Sequence, residues 1–72
     1  MQAREIRTWV TEDLQGRLDE AYRELFTLRR ELGMGRLEDH NRIKAVKRDV
    51  ARMKTILRER ELVAELVEEA AR

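Results

Sequence analysis

Apolar residues recur through the first half of the chain at Leu14, Leu18, Ala21, Leu25, Leu28 and Leu32. The steps alternate between four and three, and each helical residue turns by about 100°, so these side chains share one narrow stripe. The spacing predicts a helix over about 12–32. Thr11 stands where a hydroxyl can accept an orphan main-chain N–H, with Glu12 and Asp13 where the helix dipole favours anions. Gly33, followed closely by Gly35, supplies the residue type that closes helices in a left-handed conformation. A second stripe at Ile43, Val46, Val50, Met53 and Leu57, with Asp39 as N-cap, predicts a second helix from about 40.

A link over about 33–39 is short enough to lay the two helices antiparallel and side by side, stripe against stripe. The expected fold is all-α, a long antiparallel two-helix hairpin, with a short helical turn at Ala3 to Arg7 ahead of it. Trp9, Tyr22 and Phe26 are the only aromatics, and the pair Tyr22 and Phe26, one turn apart beside the first stripe, reads as packing. After Leu57 the seam breaks, because Arg60 takes the next heptad position and the apolar set moves to Leu62, Val63, Leu66, Val67 and Ala70. Such a change of register leaves an end that frays or docks outside the hairpin, and fraying is the expectation. The chain thus divides into a hairpin over 1–60 and an acidic extension over 61–72.

Composition narrows the class. Charged residues form 43% of the 72, aromatics 4%, and proline and cysteine are absent. That is the make-up of long helices, and it offers no disulfide or thiolate metal site. No apolar run approaches membrane-spanning length, and Met1 to Arg7 lacks the core of a secretory signal, so a cytoplasmic address is expected and no membrane partner. A chain this short buries little surface, which favours a macromolecular partner as the source of added stability.

The net charge of +1 conceals a strong segregation. Residues 1–41 carry seven Lys/Arg against nine Asp/Glu, residues 42–60 eight against two, and residues 61–72 one against four. On the second helix Lys44, Lys47, Arg48, Arg52, Lys54 and Arg58 fall away from the apolar stripe. Lys44 to Arg58 covers about 21 Å, enough to track several phosphates. A merely solvated face would interleave acids with bases, yet Asp49 is the one acid between Arg42 and Arg58. A polyanion is the favoured occupant. No DNA-reading module is recognisable, and no aromatics alternate with the bases, so the pattern leans to folded RNA held by phosphate and shape rather than by stacking on single strands.

Catalysis is not expected. The neighbouring carboxylates Glu12-Asp13, Asp19-Glu20, Glu38-Asp39 and Glu68-Glu69 would need a cleft to shift their pKa values, and a hairpin provides none. A lone His40 makes no zinc site, and Gly33-Met34-Gly35 lacks the residues of a phosphate-binding loop. No cofactor, metal or small-molecule substrate is implied.

Phe26-Thr27-Leu28-Arg29, Gly35-Arg36-Leu37-Glu38 and the run from Ile43 to Leu57, together with Ala3-Arg4-Glu5-Ile6-Arg7 and Glu12-Asp13-Leu14, resemble the bacterial large-subunit ribosomal protein twenty-nine family. The similarity covers residues 1–60. It implies a helical hairpin with a structural role on large-subunit ribosomal RNA, near the exit of the peptide tunnel and beside ribosomal protein twenty-three. The docking area of nascent-chain factors such as signal recognition particle and trigger factor would lie near its exit-side surface. By the family's pattern Lys47, Arg48, Arg52 and Lys54 match the bases of the second helix, and Arg29 that of the first. Arg36, Arg42, Lys44 and Arg58 complete the candidate RNA contacts. A reading of another class stays open, in which the hairpin is a coiled-coil protein-interaction module with a solvated basic face.

Overall fold

In the computed structural model, which describes residues 2–72, the chain forms three helices: α1 Ala3–Ile6, α2 Thr11–Gly33 and α3 His40–Ala70. Among the described residues there is no strand. Leu14 clusters with Met53 and Ile56, while Leu25 clusters with Val46 and Val50. Position rises along α2 as it falls along α3, so the two long helices are antiparallel. Leu18, Ala21, Leu28 and Ile43 close the seam from its edges, half-buried.

The turn is built largely as its residues suggest. Asp39 is the N-cap of α3, its Oδ1 accepting the Asn41 main-chain N–H at 2.9 Å. At the other side of the loop the left-handed residue is Gly35, at φ 69°, rather than Gly33, which stays within α2. Arg36 N–H donates to Glu31 O at 2.8 Å and Gly35 N–H to Leu32 O at 3.1 Å. These two bonds form a Schellman closure, whose crossed pattern requires a positive φ that only glycine adopts cheaply. The predicted cap at the start of α2 is different. Val10 is the N-cap, with no side-chain bond, and Thr11 is already helical.

The Thr11 hydroxyl is engaged elsewhere, and its partner explains the seam break. Arg60 Nη1 donates to Thr11 Oγ1 at 3.0 Å, and Arg60 Nη2 donates to the carbonyls of Trp9 at 2.7 Å and Arg7 at 3.4 Å. The guanidinium therefore replaces an apolar seam residue with a fork that holds the segment joining α1 to α2. Around it Ile6 is fully buried against Leu14, Met53 and Ile56, with Ala3 and Trp9 packed on the same cluster. Burial on α3 shifts accordingly to Ile56, 3% exposed, and Leu57 is only half-buried, because α1 covers a face that α2 cannot reach. Arg7 approaches Glu59 at 3.6 Å, and the Arg17 guanidinium lies 4.1 Å from the Trp9 ring centroid.

α3 outruns its partner. It continues without interruption to Ala70, so the extension is helical rather than frayed, projecting about 15 Å past Arg60. Leu62, Val63, Leu66 and Val67 stay between 43% and 64% exposed there. Leu32, at the other end of the first stripe, is also exposed, at 44%.

Ile6→Ala should cost about 2–5 kcal/mol in urea unfolding, whereas Leu66→Ala should change stability by less than about 0.5 kcal/mol. Equal losses would mean that the extension is packed in solution. Arg60→Ala should red-shift the emission of Trp9, the single tryptophan, and lower stability by about 1–2 kcal/mol. An unchanged spectrum would remove the fork from any role in placing the N-terminal segment.

Candidate nucleic-acid interface

The basic residues of α3 sit where the helix leaves the seam. Lys47 and Lys54, seven residues apart, differ by only about 20° around the axis, and Arg48 and Arg52, four apart, by about 40°. The two lines lie more than about 90° apart, so the broad face expected from the sequence has two flanks that meet different walls. Lys47 and Lys54 line a groove between α2 and α3, whose other wall is Tyr22, Phe26 and Arg29. Arg48 and Arg52 line a second groove on the other flank, where α1 contributes Ala3 and Arg7, just after that helix, adds a charge opposed by Glu59 in the same groove. Lys44 and Arg58 lie between the flanks.

Pairing separates the candidates further. The Arg42 guanidinium straddles the Glu24 carboxylate across the hairpin, with Nε donating to Oε1 at 2.7 Å and Nη2 to the same oxygen. Arg58 Nη1 donates to Glu61 Oε2 at 2.9 Å. Arg36 lies with Arg42 at the loop end, in a groove that also holds the carboxylates of Glu31, Glu38 and Asp39. Local acids thus blunt the field at both ends of the strip. Lys44, Lys47, Arg48 and Lys54 are exposed and, among the described residues, make no ion pair with a carboxylate. Arg29 on α2 is likewise exposed and unpaired, while Arg52 is half-buried.

Of the expected contacts the fold brings Arg29, Lys47 and Lys54 together, and Arg48 with Arg52. It leaves Arg36 and Arg42 beside acids at the loop and Arg58 in a pair. Two residues read as packing are surface residues instead: Tyr22 is 43% and Phe26 67% exposed. Their position foretold it. Measured from the stripe of α2, Tyr22 lies about 80° and Phe26 about 120° around the helix, beyond the reach of a seam this narrow. Arg7 is the other addition, and it joins the strip only because α1 folds back.

No group of three or more His, Cys, Asp or Glu among the described residues could hold a metal ion, and none of their helices is long and apolar enough to cross a membrane. The grooves hold cations over apolar floors, without the convergent acid, base and nucleophile that turnover needs. A helical hairpin with a cationic flank of this kind offers a surface rather than a pocket.

The sequence profile of the family described as Ribosomal L29 protein matches residues 4–60. Over 68 residues the chain is 50% identical to large ribosomal subunit protein uL29 of Streptomyces coelicolor, covering 94% of this chain and 92% of that one. It is 52% identical to the uL29 protein of Thermotoga maritima over 62 residues, 86% of this chain and 94% of the other. The uL29 protein of Natranaerobius thermophilus is 50% identical over 62 residues, 86% and 95% of the two chains. The chain belongs to the ribosomal L29 protein family, whose members are structural rather than enzymatic. The profile ends at Arg60, the residue whose fork closes the hairpin, so the matched region coincides with the packed one.

The pair Arg42 and Glu24 is roughly half-exposed on both sides, 52% and 41%. Its removal by Glu24→Gln should therefore change unfolding stability by less than about 1 kcal/mol. A loss above about 2 kcal/mol would make the pair a latch of the hairpin rather than a local neutraliser of the strip.

Proposed function

We propose that the protein is a structural constituent of the large ribosomal subunit that holds folded ribosomal RNA along α3. The observation carrying this reading is the set of exposed, unpaired bases Lys44, Lys47, Arg48 and Lys54 on a rigid helix, within a chain whose family members are large-subunit proteins. Phosphates attract such a set without demanding sequence readout, and the helix fixes the spacing at which they are met. Arg52 and Arg29 extend the contact on the two flanks. Arg36, Arg42 and Arg58 contribute less, because carboxylates already lie beside them. The setting proposed for this surface is the neighbourhood of the peptide exit, next to ribosomal protein twenty-three, in the cytoplasmic ribosome, where nascent-chain factors such as signal recognition particle and trigger factor come close.

The coiled-coil reading loses ground for a physical reason. Both stripes are consumed within one chain, so neither is left to pair with a second hairpin.

Replacing Lys47, Arg48 and Lys54 together with Gln should flatten the dependence of log K on log salt for large-subunit RNA by about 2–3, close to one per lost contact. Retention on large subunits through a high-salt wash should fall in parallel. Wild-type retention and an unchanged slope would rule out this face as the RNA contact.

A further inference from the structure

We infer that the groove between α2 and α3 receives one unstacked nucleobase of the bound RNA, stacked on Phe26, with the neighbouring phosphates held by Arg29, Lys47 and Lys54. This inference rests on the RNA-binding reading above. Phe26 is 67% exposed and Tyr22, one turn before it, 43%, which together leave an apolar surface only partly covered. What surrounds the two rings selects the partner. Arg29 stands three residues after Phe26 on the same flank of α2, and Lys47 and Lys54 rise from α3 across the groove, over a floor of Leu25 and Val50. No carboxylate lines this groove, in contrast to the groove at the loop, where three do.

A protein side chain could cover the rings, but it would leave three cations to be neutralised by acids brought for the purpose. A nucleotide meets both demands in one unit, because its base offers a flat π-face and its backbone offers anions on either side. Lys47 and Lys54 are about 10 Å apart along α3, a span that sits either side of a single nucleotide. Tyr22, which also lines the groove, carries a hydroxyl able to donate to or accept from a base edge. Folded RNA is commonly recognised through such splayed bases in loops and bulges, stacked on aromatic side chains. The phosphate-only contact expected from the sequence is thereby revised on this flank, since aromatics and bases that are far apart in the chain become interleaved across the hairpin.

The test uses the full chain and a transcript of large-subunit ribosomal RNA, with affinity measured over a series of salt concentrations and base reactivity followed by dimethyl sulfate. Phe26→Leu should weaken binding on the order of 5- to 150-fold by the same factor at every salt concentration, since stacking is not an ionic contact. Phe26→Trp should retain affinity, and Lys47→Gln should instead flatten the salt slope. One base whose reactivity the wild-type protein alters should revert to its free value with Phe26→Leu. The helical circular dichroism of every variant should match that of the wild type, because the ring is not part of the core. Wild-type affinity and reactivity with Phe26→Leu would overturn the stacking contact while leaving the RNA reading intact. Normal binding to the transcript with failed retention on large subunits would give the groove to a protein neighbour and likewise overturn it. A wild-type protein indifferent to the transcript would remove the RNA reading itself, and this inference with it.

Discussion

Two helices share one interface, and everything in this chain is arranged around the narrowness of that strip. α2 can cover only a limited arc of α3, so the buried residues of that strip are few: Leu14 and Leu25 on one side, Val46, Val50 and Met53 on the other. The rest of each helix is surface by geometric necessity. A fold with so little interior has no depth in which to desolvate a catalytic group, but it has a great deal of rigid exterior at fixed spacing. α1 eases the shortage at one end. By folding back it adds Ile6 and Trp9 to the cluster at the open end of the hairpin, where neither long helix has another neighbour.

Much of this was legible because the two stripes obey helical periodicity without interruption and because Asp39 is a strong cap. Two of the errors, at Thr11 and Ile56, occur where a non-local contact decides the outcome; the others turn on local detail. Thr11 has the chemistry of an N-cap but is used by Arg60, forty-nine residues away. Gly33 and Gly35 are equivalent as residue types, and only the Schellman bonds of Arg36 and Gly35 assign the left-handed position to the second. Ile56, lying off the second stripe, owes its burial to α1. The projecting end of α3 looked ready to fray because its apolar residues leave the seam, yet loss of packing need not end a helix whose composition, rich in Glu, Leu and Ala, still favours one.

The candidate interface was legible in composition but not in shape. The bases of α3 are evident as a run, and the run alone suggests one face. The hairpin converts it into two flanks by setting different walls against each: aromatic residues and Arg29 of α2 on one, α1 and Arg7 on the other. Acids complete the pattern from outside the run. Glu24 reaches across to Arg42, and Glu61 reaches back to Arg58, so the undiminished charge is confined to the middle of the rod. An ion pair that adds little to stability can still define where a polyanion is held.

The fork of Arg60 has an evolutionary corollary. Two of its three acceptors are main-chain carbonyls, those of Arg7 and Trp9, which every residue type supplies. At positions 7 and 9 the guanidinium therefore recognises the path of the backbone rather than the side chains borne there, and only at Thr11 does it meet a side chain. Positions 7 and 9 can diverge without disturbing the grip, while position 60 cannot exchange its planar fork for the single ammonium of lysine and still reach three oxygens.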